Sequence, residues 1–155
     1  MSDPRAGRII EDEDELAAIV RGMQTIAVVG MKGEDQADEP AHEIPRLVQG
    51  HGRRIIPVNP KLGSTLGEAA YPDLASVPDR FDLVDVFRRI DAIPSVADAI
   101  LALPPDRRPA VVWLQSGIRH DEAAHRLAEA GIDVVQDRCL GVYANRYLGS
   151  RAPSS

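Results

Sequence analysis

Residues Thr25–Gly33 read TIAVVGMKG, a β-rich apolar run that stops on a glycine and then turns polar. An unbroken apolar run of this length is how a strand buried on both faces of a parallel sheet reads. Four later runs repeat the pattern: Arg54–Val58 (RIIPV), Leu83–Phe87 (LVDVF), Ala110–Leu114 (AVVWL) and Ile132–Val135 (IDVV). Helical patterns lie between them. One begins near His42. In another, Val96, Ile100 and Leu103 share a face behind Pro94, a residue suited to a first helical turn. A third, Asp121 to Ala130, turns Ala124 and Leu127 inward and ends at Gly131, a good C-cap. The alternation predicts an α/β fold: an open, mostly parallel sheet with right-handed crossovers and helices on both faces.

Ahead of the first strand, Leu16, Ile19, Val20 and Met23 fall on one face of a helix. The acidic run Glu11–Glu15 precedes them, where carboxylates suit the positive end of a helix dipole. Residues 1–24 therefore read as a helical extension packed on a single domain, 25–148, with a frayed tail at 149–155.

At 155 residues the chain can bury roughly two thirds of its unfolded surface in one core without staples. A net charge of −6 argues against a nucleic-acid partner, because phosphate backbones call for basic faces. It leaves room for a small anion held by a local positive site. One cysteine, Cys139, excludes an internal disulfide and fits a reducing compartment. No apolar run approaches the ~20 residues of a membrane span, and the start MSDPRAGRIIEDEDE is too acidic for a signal peptide. The expected setting is cytoplasmic, with neither nucleic acid nor membrane as partner. A homodimer or a partner enzyme stays open.

In such a fold ligands sit beyond the carboxyl ends of the strands, near the point where strand order reverses, so the loops after the strands matter. After the first comes Gly30-Met31-Lys32-Gly33, which lacks the G-x-G-x-x-G of dinucleotide sites. A phosphate-holding turn with Lys32 and the N-terminus of the helix at His42 is one reading, and a solvated surface loop is the other. After the second strand, Asn59-Pro60-Lys61 forms a stiff wall suited to a flat ring, with Lys61 placed for a phosphate or a ribose hydroxyl. A plain strand exit reads the same way. After the third, Phe87-Arg88-Arg89 places two guanidinium groups where anions bind, with Arg89 the bystander of the two. After the fourth, Gln115 can both donate to and accept from an amide, Gly117 admits a ligand close to the backbone, and His120 starts the next helix. Cys139 beside Arg138 is either a reactive thiolate or a buried small hydrophobe. No nucleophile stands with its own base, and the four histidines lack metal-ligand spacing.

Taken together, IAVVG (Ile26–Gly30), PAHEIP (Pro40–Pro45), IPVNPK (Ile56–Lys61), LVDVFR (Leu83–Arg88), VWLQSGI (Val112–Ile118) and DRCLGV (Asp137–Val142) resemble the stand-alone CoA-binding proteins. Their single domain is similar to the N-terminal CoA-binding domain of the succinyl-CoA synthetase alpha subunit. The resemblance covers about Ile10 to Tyr147 and implies a Rossmann-like fold that binds coenzyme A or an acyl-CoA as a non-catalytic module. It implies that Gly30 and Lys32 line a phosphate loop, and that Ala41 and His42 present helix N–H groups to the pyrophosphate. It places Asn59, Pro60 and Lys61 on the adenosine, and Phe87 and Arg88 beside the nucleotide or the start of the pantetheine arm. Gln115, Gly117 and Ile118 would line the arm, with Cys139 near the thiol. Three positions depart from the family pattern: Lys32 where many relatives carry serine, and Glu39 and Ala41 in Glu39-Pro40-Ala41 where many carry Arg-Pro-Ser. The phosphohistidine domain of the synthetase is missing, so the resemblance does not extend to ligase chemistry. The alternative reading is a nicotinamide-nucleotide oxidoreductase or redox sensor on the same fold. Against it, the second strand ends in Pro-Val-Asn-Pro, with no acid to take a ribose diol.

Overall fold

Each of the five apolar runs is a strand of one parallel sheet in the computed structural model, which describes residues 7–148. In chain order the elements are α1 (Glu13–Gly22), β1 (Thr25–Val29), α2 (Pro40–Gly50) and β2 (Arg54–Val58). A short antiparallel hairpin follows, β3 (Ser64–Thr65) with β4 (Glu68–Ala69). Then come β5 (Leu83–Val86), α3 (Ile93–Leu101), β6 (Val111–Leu114), α4 (Asp121–Glu129), β7 (Asp133–Val135) and α5 (Leu140–Tyr147). Strands β5, β6 and β7 are each one residue shorter than expected, within the usual spread of element ends. The expected frayed tail, 149–155, lies outside the described residues.

The sheet order is β2-β1-β5-β6-β7. The chain moves outward from β1 to β2, then returns to add β5 on the other side of β1. The topological switch therefore lies between the carboxyl ends of β1 and β5, where this architecture opens a crevice. Alternate side chains of each strand feed two cores. Ala27, Val84, Val112 and Val134 meet α3 and α4 on one face; Ile26, Val28, Leu83 and Trp113 meet α1, α2 and α5 on the other. Each sheet edge carries one parallel bridge, Tyr71 to Val58 beside β2 and Ile9 to Val134 beside β7, which shortens the edge left for pairing. Among the described residues, no helix is long and apolar enough to cross a membrane.

Helix α5 falls where the sequence reading stopped at a loop. Its signal was present: Leu140, Tyr143, Ala144 and Tyr147 share a face, and three of them are buried. Gly141 and Asn145 lower its helix propensity, so tertiary packing holds it. Trp113 is fully buried, donates its Nε1–H to the Arg138 carbonyl (2.8 Å) and meets Tyr143 edge-on at 5.6 Å between ring centres. Glu13 on α1 accepts hydrogen bonds from Tyr143, Tyr147 and Arg146. The Tyr147 hydroxyl contributes most to holding the Glu13 carboxyl below its usual range.

Candidate functional site

A cleft of about 500 Å³ opens at the switch point. Its walls come from the ends of β1, β2 and β5, with Pro72, Asp73 and Leu74 on one side and Ser95, Val96 and Ala99 of α3 on the other. A concavity of that volume is the size of a small-molecule site.

Gly30 sets its geometry. Its φ is +84°, and a Cβ there would stand 2.2 Å from the Phe87 carbonyl oxygen and 3.1 Å from Cδ of Arg88. Only glycine lets the β1 and β5 exits pass this closely. The Gly30 N–H donates to the Val58 carbonyl (2.9 Å), which joins the β2 exit to the same point.

Lys32 is held by its backbone from both sides. Pro45 stands inside α2 without an N–H, so the carbonyl four residues earlier, that of Ala41, is released from the helix ladder. That carbonyl accepts the Lys32 N–H at 3.1 Å. The Lys32 carbonyl lies 2.9 Å from Nδ1 of His42. A carbonyl can only accept, so Nδ1 carries the proton there. The fixed turn leaves the lysine side chain to line the cleft.

The first two loops are also laced together. Asn59 donates from Nδ2 to the Met31 carbonyl (2.8 Å) and accepts the Lys61 N–H at Oδ1 (2.9 Å). Glu34 accepts from Leu66 N–H and Thr65 Oγ1, both at 2.8 Å, and these bonds hold its carboxyl below the usual range, the Leu66 N–H most of all. Asn59→Ala removes both Asn59 bonds and strands the carbonyl of the fully buried Met31. The expected loss is about 2 kcal/mol, or roughly 6 °C in Tm for a chain of this size. Thermal unfolding checks it, and an unchanged midpoint would show that the lacing does not hold the loops.

Electrostatically the cleft is cationic. Lys32, Lys61 and Arg88 line it, and among the described residues none of the three forms an ion pair with a carboxylate. Arg89 lies within 3.8 Å of Asp91, and both are well exposed. The one acid on the wall, Asp73, accepts hydrogen bonds from N–H and Oγ of Ser76.

Of the residues singled out in the sequence, Gly30, Lys32, Asn59, Pro60, Lys61, Phe87, Arg88 and Arg89 meet at this cleft. The remainder lie elsewhere. Ala41 and His42 are buried, and the His42 N–H donates to the Glu39 carbonyl (2.9 Å), so it is not free for a phosphate. Glu39 is exposed at the N-cap of α2 and does not line the cleft. Gln115 turns inward: Nε2 donates to Asp85 (2.5 Å), and Oε1 accepts the Leu140 N–H (3.3 Å). Gly117 is exposed, with φ +83° and its N–H on Asp137 (2.6 Å). Ile118 packs against the α3/α4 core. Cys139 is the half-buried N-cap of α5. His120 caps α4, its ring accepting the Ala123 N–H at 3.1 Å. Sequence reasoning missed the two flanking walls, since nothing in Pro72–Leu74 marks that segment as returning beside β2.

Residues 24–145 match the family model described as a CoA binding domain. The chain is 35% identical over 128 residues to YneT, an uncharacterized protein of Bacillus subtilis (strain 168), covering 83% of this chain and 90% of that one. Among solved structures it is similar to cell-free ID.343 from Thermus thermophilus, with TM-score 0.79, 40% identity, and coverage of 88% of this chain and 99% of that one. It is also similar to a hypothetical protein from Pyrococcus horikoshii OT3, with TM-score 0.79, 27% identity, and coverage of 96% and 100%.

Proposed function

This chain belongs to the CoA-binding domain family, and on that premise we propose that its switch-point cleft binds coenzyme A, or an acyl-CoA, as a non-catalytic module. The observation that carries the reading is a set of three cations, Lys32, Lys61 and Arg88, without ion pairs among the described residues, around a cleft that includes the glycine turn. Coenzyme A is a polyanion with a pyrophosphate and a ribose phosphate. Lysine ammonium and arginine guanidinium groups are the side chains that meet phosphates. The turn at Gly30 brings the β1 and β5 exits together under the cleft, and Asn59-Pro60 supplies a rigid edge for a base. The residues present therefore fit the nucleotide end of the molecule. The end of β2 offers Asn59 and Lys61 where a nicotinamide dinucleotide site carries an acid for the ribose diol.

The test is calorimetric titration of ligand-stripped protein with coenzyme A and, in parallel, with NADH. Saturable binding of coenzyme A with no NADH heat is the expected outcome. Binding of NADH alone would make the ligand reading wrong. Cys139→Ser is expected to leave the affinity for coenzyme A within about twofold, because Cys139 stands at the N-terminal end of α5, does not line the cleft, and a near-isosteric change away from a site moves little energy. A larger loss in the same titration would bring the thiol into the site.

A further inference from the structure

A second concavity, about 390 Å³, lies at the opposite end of the sheet, where β1, β5 and β6 begin. It is lined by three arginines, Arg80, Arg107 and Arg108, together with Thr25, Phe81 and Asp82. Main-chain carbonyls fix each guanidinium. Arg80 donates to Asp106 O (2.9 Å) and Arg107 to Val77 O (2.5 Å); Arg108 donates to Leu101 O (2.7 Å) and Leu103 O (3.1 Å). A guanidinium has five N–H donors in a rigid fork, so each keeps donors to offer. Among the described residues none of the three pairs with a carboxylate. The one acid in the depression, Asp82, is already engaged by the N–H groups of Gln24 and Thr25 at 3.1–3.2 Å.

Capping of loose carbonyls accounts for why each arginine is held. It does not account for three arginines lining one hollow in a chain of net charge −6. We propose that this hollow is a second anion site, taking a small phosphomonoester or inorganic phosphate. Pre-fixed guanidinium forks suit phosphate oxygens bidentately. The volume, at the lower end of the roughly 300–1,000 Å³ range of ligand pockets, suits a small ester rather than a nucleotide.

The test follows backbone amide shifts during titration with inorganic phosphate and with phenyl phosphate, each against sodium chloride at matched ionic strength. Saturable shifts at Arg80, Asp82 and Ala110 that chloride does not reproduce are expected. They should persist in Lys61→Glu/Arg88→Glu protein, which separates this hollow from the switch-point cleft. Arg80 is exposed and donates one bond, so Arg80→Gln keeps the fold; it is expected to weaken phosphate about fivefold. Absent shifts, equal shifts with chloride, shifts confined to Gly30 and Arg88, or an unchanged affinity in Arg80→Gln would each overturn the site.

Discussion

Lys61→Glu/Arg88→Glu protein is expected to bind coenzyme A about a hundredfold more weakly than the wild type, with its fold intact. Both side chains are exposed and line the cleft. At contact distance in water a unit charge pair is worth about 1 kcal/mol, so reversing one cation changes its interaction with a phosphate by about 2 kcal/mol. Two reversals acting on one polyanion exceed the 2.7 kcal/mol of a hundredfold change in affinity, before screening reduces them. The salt dependence should fall with the affinity, because fewer counter-ions are then exchanged on binding. Stability should hold within about 0.5 kcal/mol, as for other surface substitutions. Calorimetry over a salt series, with a melting curve beside it, reads both. Affinity equal to the wild type in a folded double variant would remove the cleft from consideration.

The second large effect concerns Asp85, in the middle of β5. It is 1% exposed; Oδ1 accepts from Gln115, and Oδ2 has no partner. Burial pushes its carboxyl up to about 7, against the lowering pull of the Gln115 bond and the Val86 N–H. An unfolded chain loses this proton near pH 3.9. Between about pH 4 and 7 the native state keeps a proton that the unfolded state has released. Stability from this group is thus complete below about pH 4, declines as pH rises, and is gone above about pH 7. A shift of about three units corresponds to about 4 kcal/mol. Asn has the shape of the neutral acid and does not titrate. Asp85→Asn is therefore expected to be more stable than wild type by about 3 kcal/mol at pH 8, or roughly 6–12 °C in Tm. At pH 4.5 the two should agree within about 1 kcal/mol. The carboxylates held low, such as Glu34 and Asp121, are common to both proteins and cancel in the difference. Parallel stability curves across this range would show that Asp85 is ionised in the folded protein.

Asp85 also shows where sequence reasoning runs out. The run LVDVF was legible as a buried strand because four apolar residues outweigh one acid. Nothing in the run says that the acid lies under α5, joined through Gln115 to the Leu140 N–H. The place of Gln115 after a strand points to a ligand-facing side chain. A strand exit leaves the direction of the side chain open, and the buried acid opposite decided it. The loops after β1, β2 and β5 were legible because Gly30, Asn59-Pro60 and Arg88 are residue types whose conformation or charge acts locally. The clamp on Lys32 was not. It needs Pro45, thirteen positions downstream, to free a carbonyl that only the folded helix brings back to the turn.

The most direct measurement is the backbone amide spectrum of ligand-stripped protein during titration with coenzyme A. The expected result is a saturating set of shifts at Gly30, Lys32, Asn59, Lys61, Phe87 and Arg88, with Arg80 and Ala110 at the far end of the sheet unmoved. Saturation with those cleft amides unmoved, or no saturation at all, would contradict the assignment of coenzyme A to the switch-point cleft.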